Sequence, residues 1–263
     1  MGKTPEEIAA AILAASDARC PVAPFSEREP DFDLAKAYRV AAAVRRMRES
    51  RGERVVGRKI GFTNRTIWDE YGVYAPIWGE MYDSTVRDAA PGENTVALGT
   101  LMEPRIEPEI AFGIARTPEP GMDEAAILDC LDWVAHGIEI VQSVFPGWRF
   151  AAADTVAAFA LHGRYLLGPR VALRRELLAP LATFEVVLSR DGTAIDRGRA
   201  ANVLDGPLST LKHLVEMRID PPLCPGEIVT TGTITRAFSV APGERWTTRI
   251  EGLPLEGLSV RFA

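Results

Sequence analysis

Apolar residues recur at helical spacing in two stretches that open the chain, and at strand-like spacing over most of the remainder. Thr4-Pro5-Glu6-Glu7 has the form of an N-cap, a first-turn proline and a capping-box glutamate, and Ile8, Ala9, Ile12 and Leu13 then share one helical face. A polar, proline-rich link over 20–31 leads to a second predicted helix, about Asp33 to Arg51, with Leu34, Ala37, Tyr38, Val40 and Val44 on one side and Gly52 at its end. From Val55 the pattern turns to strands and turns: VVGRKIGFT, PIWGEMYD, TVALG, IEPEIAFGIA and GIEIVQSVF. A helix is expected over Asp123 to Val134, a hairpin around Asp191-Gly192, a further helix over Pro207 to Met217, and then the strand run GEIVTTGTIT. This predicts an α+β chain built on a mixed β-sheet with helices packed outside it, and a helical N-terminal region (1–54) ahead of the strand-rich part (55–263).

Within that pattern, three glutamates stand where apolar residues are the rule. Side chains two apart on a strand point to one face, so Glu107 and Glu109 in PRIEPEIAFG project two carboxylates into one space. Glu139, between Ile138 and Ile140, offers a third if its run is also a strand. Carboxylates are rarely buried unless paired or bound to metal. An all-oxygen acidic set suits a hard divalent cation, Mg²⁺ or Mn²⁺, that keeps open positions for water or substrate. The competing interpretation makes Glu107 and Glu109 the solvated face of an edge strand, paired with Arg105.

Composition narrows the field. The chain has 263 residues, 47% hydrophobic and 25% charged, with a net charge of −6 and pI about 5.3, which fits a packed globular protein and argues against nucleic acid or an anionic membrane as partner. Cys20, Cys130 and Cys224 suggest neither a disulfide framework nor a zinc site. The N-terminal stretch lacks the form of a signal peptide, and no apolar run reaches the ~18 residues of a membrane span, so a cytoplasmic protein is expected.

Other residues could carry chemistry. Lys59 in VVGRKIGFTN can point inward, where desolvation would lower its pKa and suit it to proton transfer or carboxylate binding; the plainer alternative is a surface lysine beside Arg58. Glu80 and Asp83 in WGEMYD follow a glycine that lets backbone approach a ligand, or else mark a solvated turn. The Thr230-Thr231-Gly232-Thr233 run can present N–H and hydroxyl donors to a carboxylate. His136 and His162 sit in apolar runs and suggest satisfied core residues, and His213 a surface one.

Taken in order, RKIGFTN, PIWGEMYD, PRIEPEIAFGI, GIEIVQSVFPGW, AAADTVAAFALHG, GRAANVLDGPLSTLKHL and PGEIVTTGT resemble the 2-keto-4-pentenoate hydratase and 4-oxalocrotonate decarboxylase family of the fumarylacetoacetase superfamily, over roughly 35–263. The resemblance implies a β-barrel core rolled around a divalent-metal site, with Glu107, Glu109 and Glu139 as ligands and Lys59 as the active-site lysine. It also implies that Gly232, Thr233 and Gln142 contact the substrate. The implied activity is hydration of a small 2-hydroxy-2,4-dienoate to a 4-hydroxy-2-oxo acid. Decarboxylation of a 2-oxo-dioate such as 4-oxalocrotonate is the alternative, and a catalytically silent subunit a further one. A homo-oligomer is expected. Two departures stand out: Pro76-Ile77-Trp78-Gly79 has isoleucine where hydratases carry aspartate, and the run after Asp154 lacks the family's polar stretch. Glu80 or Asp83 is the candidate to replace the missing acid.

Overall fold

A computed structural model describes residues 2–263. Along the chain it has α1 (Pro5–Ala18), α2 (Leu34–Ser50), β1 (Val55–Gly61), α3 (Trp68–Tyr71), β2 (Ile77–Tyr82), β3 (Val86–Asp88), β4 (Glu93–Val96), β5 (Arg105–Ile114), α4 (Glu124–Leu128) and β6 (Leu131–Val141). It continues with α5 (Ala152–Ala157), β7 (His162–Leu167), β8 (Val171–Ala172), α6 (Leu178–Thr183), β9 (Glu185–Arg190), β10 (Thr193–Arg199), α7 (Pro207–Glu216), β11 (Ile228–Thr230), β12 (Phe238–Ser239), β13 (Arg245–Glu251) and β14 (Ser259–Phe262). Among the described residues no helix is long and apolar enough to cross a membrane.

Local chemistry fixes the helix starts. Thr4 accepts from Glu7 N while Glu7 reaches back to Thr4 N, and Asp33 accepts from Lys36 N at 2.7 Å, so each helix satisfies its first orphan donors. α1 and α2 bury Ile8, Ile12, Val40 and Val44 in one cluster with Ile77, Phe145 and Ala157. Asp154, at the start of α5, accepts from the backbone N–H groups of Phe25 (2.8 Å) and Ser26 (3.1 Å). The N-terminal helices therefore share a core with the strand-rich part.

The strands form two sheets. The larger runs β2-β1-β11-β5-β6-β7-β3, with β12 beside β5 and β8 beside β6; the smaller runs β10-β9-β13-β14-β4. Ile106, Ile138 and Ile140 on one face of the large sheet meet Leu188, Trp246, Val260 and Phe262 of the small one. The expected barrel is only half closed: β2 and β3 end the large sheet and no ladder joins them. The helix expected over 123–134 is also shorter. α4 stops at Leu128, because Leu131 and Val134 belong to β6, where they pair with Ile114 and Phe112 of β5. The expected Asp191-Gly192 hairpin forms, with φ of 49° and 82°, the two left-handed residues that a tight turn between twisted strands requires.

Candidate metal centre and its cavity

β5 and β6 lie side by side inside the large sheet, which removes the edge-strand alternative for Glu107 and Glu109. Their antiparallel register sets Glu107 directly opposite Glu139, and Glu109 opposite Gly137. Alternation then sends all three carboxylates to the face away from the small sheet. One oxygen from each lies within 4.8 Å of the others; Glu109 and Glu139 are fully buried, while Glu107 borders the cavity. Oxygens around a Mg²⁺ or Ca²⁺ ion stand about 2.0–2.6 Å from it, so opposed ligands are about 4–5 Å apart and the spacing fits.

These acids have too few protein partners. Glu109 Oε1 has none, and its Oε2 accepts only from Gly232 N at 3.2 Å. Glu139 Oε1 accepts from His162 Nδ1 at 2.7 Å. Its Oε2 lies 3.2 Å from Lys59 Nζ as an ion pair but receives no well-aligned hydrogen bond. Buried acceptors left open in this way are costly unless something else fills them. Two orphaned carboxylate oxygens converging without competing sulfur ligands fit a hard divalent cation.

Electrostatics point the same way. Burial pushes Glu107 up to about 7, against the pull of Lys59. Burial, reinforced by Glu139, pushes Glu109 well above the usual carboxylate range. For Glu139, burial is outweighed by Lys59 and His162, which hold it below its ordinary value. Lys59 corrects an expectation: burial does oppose its charge, but Glu139, Glu107 and Glu109 together hold its pKa above the ordinary lysine value.

The backbone holds Lys59 in place as well. Its Nζ donates to Ala160 O at 3.0 Å, and Phe159, Ala160 and Leu161 are three consecutive residues with positive φ (60°, 49° and 64°), a strained turn that aims this carbonyl at the lysine. Gly79 makes room for it, since a Cβ there would stand 2.7 Å from Ala160 Cβ. Gly232, at φ 88°, is similarly required, because a Cβ would reach Thr63 Oγ1 at 2.0 Å.

Lys59 and Glu107 floor a cavity of about 50 Å³, which Gly232 and Thr233 also line. Its wall includes Phe62, Tyr71, Trp148 and Leu161. Tyr71 stacks on Phe150 with ring centroids 5.8 Å apart, and Arg105, on the same β5 face as the acids, donates to Tyr71 Oη at 2.6 Å and lies 4.0 Å above the Trp148 ring. Water or an ion fits this space as it stands.

Not every expected site residue arrives here. Glu80 pairs across the ladder with Arg58, so it faces away from Lys59; it meets Arg45 at 3.1 Å and Tyr82 Oη at 3.3 Å. Asp83 is a surface residue held by Arg54 at 3.0 Å. Neither borders the cavity, because the WGE segment is an edge strand rather than a turn folded over the site. Gln142 accepts from Met102 N at 3.2 Å and lines a different cavity, beyond His162. The aromatic wall, Arg105 and the role of His162, expected among satisfied core residues, escape a reading of the chain alone. No local motif marks them; His162 reaches Glu139 only through the β6–β7 register.

Comparison with known proteins identifies the family to which the chain belongs. The fumarylacetoacetate (FAA) hydrolase C-terminal family model matches residues 84–257. The chain is 33% identical to 2-keto-4-pentenoate hydratase of Paraburkholderia xenovorans (strain LB400), over 94% of this chain and 91% of that one. It is 32% identical to 4-oxalocrotonate decarboxylase of Pseudomonas putida, over 89% and 87%. Among solved structures, 4-oxalocrotonate decarboxylase from Pseudomonas putida G7, complexed with magnesium and adipate, superposes with a TM-score of 0.90 at 29% identity, covering 98% of this chain and 97% of that one. Fumarylpyruvate hydrolase from Pseudomonas aeruginosa, in complex with Mn²⁺ and pyruvate, shares the fold at 18% identity and a TM-score of 0.59. By the span of the family match and by these identities, the chain belongs to the fumarylacetoacetate hydrolase family.

Proposed function

We propose that this protein is a divalent-metal-dependent lyase that hydrates a small 2-hydroxy-2,4-dienoate to a 4-hydroxy-2-oxo acid. The observation that carries the reading is the cluster of Glu107, Glu109 and Glu139, with orphaned oxygens beside Lys59 at a cavity floor. These three residues would hold Mg²⁺ or Mn²⁺, the metals bound in two of the related structures. Such a cation polarises a 2-oxo group and stabilises negative charge developing on its oxygen. The chain's own groups do the rest. Lys59, kept protonated by its acidic neighbours and aimed by Ala160 O, offers N–H donors to a substrate oxygen. Gly232 and Thr233 line the cavity wall where the substrate carboxylate would sit. Phe62, Tyr71 and Trp148 enclose the apolar part of the substrate and limit bulk water.

A second reading, decarboxylation of a 2-oxo-dioate, is favoured by Arg236, a cation at the cavity wall that can meet a distal carboxylate; its guanidinium is held by Glu70 at 2.6 Å. Incubating the Mg²⁺-loaded protein with 2-hydroxypenta-2,4-dienoate and with 4-oxalocrotonate separates the two. Loss of dienoate absorbance without CO₂ is the expected result; CO₂ release from 4-oxalocrotonate reverses the order, and turnover of neither rejects both. A cytoplasmic homo-oligomer belongs to the same reading, and sedimentation of the purified protein tests the assembly.

A further inference from the structure

His162 stands between the acidic centre and a second cavity rich in cations. On one side its Nδ1 donates to Glu139; on the other its Nε2 lies 2.9 Å from Thr85 Oγ1, and both residues border this second cavity, of about 420 Å³. Four arginines line that cavity: Arg19, Arg48, Arg51 and Arg164. Only two carboxylates oppose them. Asp17 pairs with Arg51 at 3.0 Å, and Glu53 takes Arg48 in a two-pronged contact at 3.1 and 2.6 Å. The remaining two guanidiniums have only neutral partners. Arg19 donates to Gly99 O, and Arg164 donates to Gly163 O at 2.9 Å and to Thr100 Oγ1 at 3.3 Å. Four cations less two anions leave a local excess of two positive charges, in a chain whose net charge is −6.

We propose that this second cavity binds a small dianionic oxyanion, a dicarboxylate or a phosphate, seated on Arg19 and Arg164. Paired guanidiniums recognise carboxylate and phosphate oxygens through their fork of N–H donors. Arg164 is half-buried, so water solvates it incompletely, and burial together with the Arg48 guanidinium holds its pKa below the ordinary arginine value. A bound anion would relieve that opposition. Arg48, 3.9 Å above the Tyr82 ring and fixed by Glu53, gives the cavity a rigid positive wall, while Thr100 adds a hydroxyl donor. The volume suits a small metabolite. Gln142, which does not reach the first cavity, lines this one, and its amide is a further donor.

Calorimetric titration of the full-length protein with inorganic phosphate and with succinate tests this. The wild type is expected to bind at least one of them. Binding should weaken by roughly tenfold or more in Arg164→Gln and in Arg19→Gln, as for loss of a charge-assisted hydrogen bond. It should persist in Glu107→Gln, which alters the acidic centre but not this cavity. Stronger phosphate binding assigns a phosphoryl ligand, and stronger succinate binding a dicarboxylate. Arg19 is exposed, so Arg19→Gln keeps the test valid if Arg164→Gln fails to fold. Equal affinity in wild type and both variants overturns the proposal. So does absence of binding by either anion at millimolar concentration. So does sedimentation showing that the arginine variants only split an oligomer while the wild type binds neither anion.

Discussion

The two sheets handle acidic residues in opposite ways. In the small sheet, Glu185 and Glu251 meet Arg197, Glu93 meets Arg245 and Arg261, and Glu244 meets Arg190, all with substantial exposure to solvent. Each of those carboxylates has an arginine, and water shares the load. In the large sheet, Glu107, Glu109 and Glu139 share one lysine and one neutral-leaning histidine, and two of the acids are fully buried. Solvated pairs contribute about 0–1 kcal/mol each, whereas buried, under-partnered acids cost stability unless a ligand compensates them. The difference separates surface decoration from a candidate binding site within one chain.

The largest effect that can break this contrast is metal removal. Chelation, or Glu109→Gln, should abolish turnover, with loss of the ligand charge weakening metal binding by several kcal/mol. The metal-free Glu109→Gln protein should be as stable as the wild type or more so, since it relieves repulsion among the acids. Thermal denaturation with and without chelator checks both halves; marked destabilisation of the metal-free variant would return Glu109 to a structural role. Lys59→Met comes next. It should lower turnover by roughly 10²–10⁴ while sparing metal affinity, because the lysine is not a ligand, and a kinetic assay beside a Mn²⁺ titration separates the two.

Between the two sheets, His136 gives a third test. Its Nδ1 lies 3.0 Å from Glu109 O, which can only accept, so Nδ1 carries the proton and the Thr248 hydroxyl, 2.8 Å away, donates to Nε2. Burial lowers its pKa from 6.5 to about 4. Between those values the unfolded chain binds the proton and the folded one does not, so stability falls as pH drops from about 6.5 to about 4, by about 3 kcal/mol from this group. Urea denaturation across that range should show the slope in the wild type and a shallower one in His136→Gln. The smallest effect belongs to the small sheet. Arg197→Gln should change stability by no more than about 1 kcal/mol and leave turnover intact; a larger loss would show that the surface pairs matter as much as the buried acids.

Much of this contrast is legible along the chain because strands have period two. Glu107 and Glu109 in an apolar run already predict a shared face, and the capping residues Thr4 and Asp33 mark helix starts. What needs pairing between distant segments is not legible. The 107–139 register, the 23-residue reach of His162 to Glu139, and an aromatic wall drawn from Phe62, Tyr71 and Trp148 all depend on tertiary placement. Apolar spacing also misleads where two structures satisfy it: Leu131 and Val134 fit a helix face but complete β6. Glu80 looks available beside Gly79, yet strand alternation turns it towards Arg45.

Calorimetric titration of Mn²⁺ into metal-stripped wild type, Glu109→Gln and Arg197→Gln tests the central claim most directly. A buried acidic metal centre predicts one ion per chain for the wild type and Arg197→Gln, with binding lost or weakened at least a hundredfold in Glu109→Gln, the equivalent of about 2.7 kcal/mol. Equal Mn²⁺ affinity in wild type and Glu109→Gln, or no binding by the wild type, would contradict it.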